Sequence, residues 1–290
     1  MPLVSYAQNR EDVLLYRALS GQPSGFYIDV GANDPTACSI SKCFYDLGWH
    51  GINIEPVRGV FQRLAAERTR DINLNIGLSN CRQTLRFYEC LNESTLSTFS
   101  PSSAAWWSAP PRSFTFKERQ VPVMTLAQVC EQYVRQPIDF LSIDAEMHER
   151  AIIEGQDWKR WRARIVVIED GISAETGRTC HDQWEPYLLR ADYLFAFFDG
   201  VNRFYVRKED EHLLPRLQVP ANSTDDFVTH ERQCFTKELA RWCGQEELGP
   251  VSLMIVHKLR ALAKRYPKTS TAAKRLVRFF LTDSRRARAS

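Results

Sequence analysis

Acids end most of the apolar runs in this chain, and they are the residues best placed to do chemistry. Asp29 lies in Phe26-Tyr27-Ile28-Asp29-Val30, just before Gly31-Ala32-Asn33-Asp34. Glu55 closes Gly51-Ile52-Asn53-Ile54, Asp144 and Glu146 follow the run 138–143, and Glu169 and Asp170 follow 165–168. A short apolar run before such a turn reads as a buried strand. Ligands of an open parallel sheet bind at the carboxyl ends of its strands. Acids gathered there repel one another, so a cation, hydroxyl donors or a metal should compensate them. Gly31 has no Cβ and would let the backbone approach a ligand closely. Asn33 can take the left-handed conformation that a second glycine usually supplies. Glu55 lies 24 residues after Gly31, the spacing at which an acid after the second strand accepts ribose hydroxyls. One glycine flanked by two acids is a poor pyrophosphate site. It suits a cofactor with a ribose, an amine and no phosphate, which describes S-adenosylmethionine. Glu55 would equally serve the ribose of a nicotinamide dinucleotide, which keeps a dehydrogenase as an alternative.

The elements that must hold these acids can be read from the same runs. Helices are expected over 11–19, 38–48, 57–68, 125–135, 149–155 and 182–191. Strands are expected over 25–31, 51–56, 72–76, 119–123, 138–143, 165–169, 193–198 and 203–206, with Asp199-Gly200 closing a hairpin between the last two. Strand–helix alternation ending in a hairpin implies an α/β fold, an open and mostly parallel sheet with one reversed strand. Residues 92–118, with Trp106-Trp107 and Pro110-Pro111, read as a long loop or lid. The tryptophans there are expected to pack as loop anchors.

The 290 residues are 44% hydrophobic and 25% charged, which excludes wholesale disorder. The net charge of +3 divides into about −7 over residues 1–250 and +10 over 251–290. The acidic body is expected to end as a domain near 210. Residues 211–250 are mixed and polar and read as an irregular extension. Residues 251–290 read as a basic helical tail, two helices separated by Pro267. Such a tail suits an anionic membrane surface or a partner, and nucleic acid binding is not expected of the acidic body. The eight cysteines form no CxxC or zinc-finger spacing and read as buried fillers. The N-terminus has no signal-peptide pattern and no run is long enough to span a membrane, so a cytoplasmic protein is expected.

Several segments together resemble the FkbM family of class I methyltransferases. They are Ser5-Tyr6-Ala7-Gln8-Asn9-Arg10-Glu11-Asp12, Phe26 to Asp34, Gly48 to Pro56, Ser94-Thr95-Leu96, Ile138 to Glu146 and Asp199 to Tyr205. The resemblance runs in order over roughly residues 4–208. It implies a Rossmann-like, seven-stranded, mostly parallel sheet with one antiparallel strand, and O-methyl transfer from S-adenosylmethionine to a sugar, glycan or glycosylated natural product. By position it implies that Asp29, Gly31 and Asn33 hold the methionine end of the cofactor and that Glu55 takes the ribose. Ser79 would lie near the adenine, Gln8 and Glu11 would cover the cofactor, and Asp144 would border it. The family reads Asp-Val-Glu-Gly-x-Glu where this chain has Asp144-Ala145-Glu146-Met147-His148-Glu149. Met147 in place of glycine is expected to narrow the pocket or move the turn.

The implied reaction needs alignment of oxygen, methyl and sulfur and a base for the hydroxyl proton. The candidates are Asp144, Glu146 and His148. Asp144 with Glu169 and Asp170 resembles the acid placement of metal-dependent catechol-type O-methyltransferases and would suit Mg²⁺, although no metal is favoured. The contrasting reading is a non-catalytic module with this fold that joins a membrane-associated glycan assembly through its tail.

Overall fold

The computed structural model describes residues 2–173 and 176–242, the last four by backbone alone. Its central sheet has seven strands: β1 (Phe26–Val30), β2 (His50–Ile54), β3 (Ile72–Leu74), β4 (Phe140–Ile143), β5 (Ile165–Glu169), β6 (Tyr193–Phe198) and β7 (Asn202–Arg207). Their spatial order is β3-β2-β1-β4-β5-β7-β6. Strands β1 to β5 are parallel, and β7 runs antiparallel to both neighbours. The expected Rossmann-like α/β sheet with one reversed strand is therefore the fold. The order reverses between β1 and β4, which opens a crevice at their carboxyl ends.

Strands β1 and β4 are buried along their whole length. Alternate residues serve two cores, as a period of two requires. Ile28, Ile52, Leu141 and Val166 pack with Leu126, Ile153 and Trp184. Tyr27, Phe140, Val167 and Phe204 pack on the other face with Leu14, Leu15 and Phe44. Helix Leu126–Tyr133 begins at a capping box in which Thr125 and Gln128 satisfy each other's backbone amides.

The stretch read as a long loop is more ordered than expected. Strand Gln83–Cys90 pairs antiparallel with Phe116–Met124, and Gly77–Leu78 adds a parallel third strand. Between them lies helix Pro101–Ser108, begun by Pro101 and capped by the Ser100 side chain, which accepts from the Ser103 amide. Trp106 meets Trp107 edge-on at 4.6 Å, Trp107 meets Phe114 at 5.6 Å, and the Arg112 guanidinium lies 3.5 Å from the Trp106 ring centre. The tryptophans thus fasten the helix to the returning chain.

The first compact unit runs from Leu3 to Phe227. The boundary expected near 210 falls inside it, because Leu213 and Leu217 are buried in the same core as Leu14 and Leu15. A second unit begins at Val228 and contains helix His230–Trp242, within the stretch read as irregular. Residues 251–290, with the two tail helices and the suggested membrane contact, lie outside the described residues. Among the described residues no helix is long and apolar enough to cross a membrane. Cys43, Cys90, Cys130 and Cys180 are buried and unpaired.

Candidate active site

The carboxyl ends of β1, β2, β4 and β5 border a cavity of about 330 Å³. The turn after β1 shapes its floor. Gly31 has φ +79°, and its N–H donates to the Ile54 carbonyl at 3.0 Å. A Cβ on Gly31 would lie 1.8 Å from the main-chain oxygen of Asp144. Glycine is needed here because two strand ends meet, and Gly31 also lines the cavity. Asn33 has φ +45°, as expected of it. Its N–H donates to Glu55 Oε2 at 3.0 Å, and its Oδ1 accepts from Ser94 Oγ at 3.0 Å. Glu55 Oε1 accepts from the Val57 N–H at 2.6 Å. Burial lifts the Glu55 carboxyl to about 7 despite these two donors.

Asp29 is buried and accepts from Ser41 Oγ at 2.7 Å. Burial raises it to about 6, while the Ser41 hydroxyl and the Arg68 charge pull it down. Arg68 is itself buried one layer behind the cavity. It donates to the Pro35 carbonyl at 2.9 Å and to Ser39 Oγ at 2.9 Å, and pairs with Asp71 at 3.8 Å. It therefore ties the cavity-wall segment 35–41 to the end of helix Arg58–Glu67.

Gln8 and Glu11 reach the cavity from the N-terminal segment. Asp12 anchors that segment by accepting from Ser5 Oγ at 2.8 Å and from the Tyr6 and Ala7 amides at 2.7 and 3.2 Å. Glu11 accepts from the Asn9 amide at 2.8 Å and from Asn202 Nδ2 at 2.7 Å. Burial is the main reason its carboxyl sits at about 7.

On the far side, Asp144, Glu146 and Glu169 bring carboxylate oxygens within 4.8 Å of one another. Asp144 reaches solvent through the cavity, while Glu146 and Glu169 are half-buried. All three carboxyls are pushed up, first by the protein around them. Glu146 and Glu169 lie well above the usual range, with the Asp144 charge adding to the effect. The turn that carries Glu146 is pinned by Glu149, whose Oε1 accepts from the Ala145 and Met147 amides at 3.1 Å each.

A family model described as the methyltransferase FkbM domain matches residues 29–195, more than half of the chain. The chain belongs to the FkbM methyltransferase family. The search of curated proteins found no match. Among solved structures, a TehB-like SAM-dependent methyltransferase from Corynebacterium glutamicum is similar at 10% identity and a TM-score of 0.37. That match covers 68% of this chain and 88% of the other.

Membership in a methyltransferase family of this kind implies S-adenosylmethionine, and the lining of this FkbM domain suits it. Six carboxylates face the cavity, from Glu11, Asp29, Glu55, Asp144, Glu146 and Glu169. Among the described residues no Lys, Arg or His lines it. A cofactor whose sulfonium and ammonium outweigh its one carboxylate is matched by that field, and a pyrophosphate is opposed by it. The methyltransferase family match leaves the dinucleotide alternative without support.

Three expected residues stand elsewhere in the FkbM domain. Ser79 is buried but does not line the cavity; its carbonyl lies 2.4 Å from where a Cβ on Gly155 would sit. His148 is also outside the lining. Its ring packs on Phe99 at 4.9 Å, its Nε2 is buried without a partner, and burial pushes its pKa down. Asp170 is held by Arg203 Nε at 2.7 Å and by the Cys180 and His181 amides at 3.0 and 2.9 Å, and so is committed to the loop after β5. Met147 has φ +76°, a conformation that costs a non-glycine residue about 1–2 kcal/mol. Its Sδ is 2.9 Å from where a Cβ on Gly171 would sit. Met147 points toward the loop after β5 and does not line the cavity. Asn202, beside the Asp-Gly turn, lines it and donates to Glu11, and Ser39 and Phe87 line it too. Ser39 and Phe87 carried no signal of their own.

Proposed function

We propose that this FkbM-family protein transfers a methyl group from S-adenosylmethionine to a hydroxyl of an uncharged sugar, glycan or glycoside. The observation that supports this reading most is that every charged residue of the lining is acidic. An acceptor bringing a phosphate, a nucleotide or a uronic acid into the cavity would add an anion to six carboxylates. A neutral hydroxyl enters without that cost.

When bound, S-adenosylmethionine supplies a methyl group on a positively charged sulfur. In this reading Asp29 and the Gly31–Asn33 turn take its amino-acid end. Glu55 takes the ribose hydroxyls with the lone pairs its two backbone amides leave free. Leu78, Phe87 and Ile152 offer apolar surface for the adenine. The Asp144–Glu146–Glu169 cluster would take the hydroxyl proton as the acceptor oxygen receives the methyl group and the electron pair of the broken bond stays on the cofactor's sulfur. Alignment across the cavity supplies the larger share of the rate.

The test uses S-adenosylmethionine labelled in its methyl group and a panel of neutral glycosides, amino sugars, phosphosugars and nucleotide sugars. Label recovered as a methyl ether on neutral glycosides supports the reading. Label recovered on nitrogen or carboxyl groups, or on the anionic acceptors alone, overturns it.

A further inference from the structure

Glu11 opens helix Glu11–Ala18, lines the cavity and is 7% exposed. The side-chain charges that act on it, Asp199 and Asp12, are both negative. Neutral donors hold its carboxylate: the Asn9 amide at 2.8 Å on Oε2 and Asn202 Nδ2 at 2.7 Å on Oε1. Asn202 comes from a distant part of the chain. It begins β7, stands opposite Glu169 of β5 in the ladder, and lines the same cavity. Its Nδ2 also donates to Asp199 Oδ2 at 3.3 Å. One side-chain amide thus stands between two carboxylates, and its two hydrogens can serve both at once. Both neighbours are acceptors, which fixes the end of the amide that faces them. Without this amide, Glu11 would face Asp199 with no donor between them, and a nearby like charge disfavours the ionised form. The hairpin turn does not depend on it, because Asp199 Oδ1 accepts from the Val201 and Asn202 main-chain amides at 2.8 and 2.6 Å. The N-terminal segment does not depend on it either, because Asp12 anchors that segment through Ser5, Tyr6 and Ala7. What the Asn202 side chain governs is the direction and charge of the Glu11 carboxylate.

We propose that Asn202 is a positioning residue for the cofactor, whose amide holds the Glu11 carboxylate apart from Asp199 and against the positive methionine end of S-adenosylmethionine. This rests on the S-adenosylmethionine reading of the cavity. Each Glu11 oxygen keeps a lone pair beyond the donor it already has, so an ammonium is accepted without displacing Asn9 or Asn202. Every charged residue of the lining is acidic, so the counter-charge for Glu11 comes with the ligand. A hydrogen bond between an ammonium and a carboxylate is about twice as strong as one between neutral groups, and it requires the acceptor to be aimed. Asn202 supplies that aim from the hairpin, on the side of the cavity away from the segment that carries Glu11.

The experiment is a double-mutant cycle on the full chain, read by calorimetry with S-adenosylhomocysteine, which keeps the ammonium and has no methyl group to transfer. Glu11→Gln and Asn202→Ala should each weaken binding roughly tenfold. The double variant should bind no more weakly than Glu11→Gln alone, because one residue acts through the other. Asn202→Asp keeps the shape, loses the donor and adds a third carboxylate, so it should bind more weakly than Asn202→Ala. Losses that multiply to roughly a hundredfold in the double variant, or wild-type affinity in Asn202→Asp, overturn the proposal. Wild-type affinity in Glu11→Gln also overturns it, and that variant decides should those at position 202 fail to fold. Wild-type protein that binds no S-adenosylhomocysteine overturns the cofactor reading itself, whereas wild-type binding with an additive cycle overturns only the role of Asn202.

Discussion

Alanine at position 31 would place its Cβ 1.8 Å from the Asp144 carbonyl oxygen. Both atoms belong to backbone, so no side chain can swing away. Ordinary contact begins near 3.4 Å, so the ends of β1 and β4 must part by roughly 1.5 Å. Two hydrogen bonds hold the turn, Asp144 N–H to the Val30 carbonyl across to β4 and Gly31 N–H to the Ile54 carbonyl across to β2, each 3.0 Å. Losing both costs about 2 kcal/mol. The left-handed conformation adds about 1–2 kcal/mol for a residue with a Cβ. Gly48→Ala is the control, because Gly48 has φ +94° but nothing within 4 Å of its Cβ position, and it should lose only the conformational part. Urea unfolding of the two variants should differ by about 2 kcal/mol or more. Calorimetry should show weaker S-adenosylmethionine binding in Gly31→Ala alone, since Asp29 and Asn33 flank the displaced turn. Equal stability of the two variants, with unchanged cofactor affinity, would refute the packing argument.

Arg68→Met should destabilise the fold by about 3–5 kcal/mol in urea unfolding, because Asp71 and Asp29 lose the buried cation beside them; a loss below about 1 kcal/mol would mean that Arg68 is not tied into the site. The raised carboxyls of Glu11 and Glu55 give stability a defined slope with pH. The folded chain keeps their protons up to about 7 while the unfolded chain loses them near 4.5. Over that window the unfolded state binds fewer protons, so this part of the stability falls as pH rises. Replacing both residues by glutamine should flatten the slope, and an unchanged slope would contradict the burial argument. A cationic cofactor favours their charged forms, so binding near pH 6–7 should release protons, visible as a dependence of the calorimetric heat on buffer ionisation. His148→Phe should keep methyl transfer within several-fold of wild type, since its ring packs on Phe99 outside the cavity; a loss of the roughly 10²–10⁴-fold expected for a base would restore it to the reaction.

The strand ends were legible because each central strand is a short apolar run closed by an acid, so burial and chemistry appear in the same residues. The left-handed Asn33 was legible for the same local reason. Of the hairpin of Gln83–Cys90 and Phe116–Met124 only residues 119–123 were legible, because residues such as Arg86, Lys117, Glu118 and Arg119 face solvent and dilute the alternation. The meeting of Gly31 with Asp144 joins residues 113 positions apart, and no local pattern encodes it. His148 and Asp170 looked reactive by type and position. Tertiary contacts turned one onto Phe99 and gave the other to Arg203. Glu146 reaches the cluster only because consecutive residues, Glu146 and Met147, both adopt positive φ, which nothing in Ala145-Glu146-Met147-His148 announces.

The central claim is that the acid-lined crevice between β1 and β4 holds S-adenosylmethionine. Isothermal calorimetry of the full chain with S-adenosylmethionine and S-adenosylhomocysteine, beside Glu55→Gln, tests it most directly. One cofactor should bind per chain. Binding should be tighter above pH 7, where Glu55 is ionised, and weaker by about tenfold or more in Glu55→Gln, the loss expected for a charge-assisted hydrogen bond. Folded protein that binds neither compound, or that binds both equally well with glutamine at position 55, would contradict the assignment.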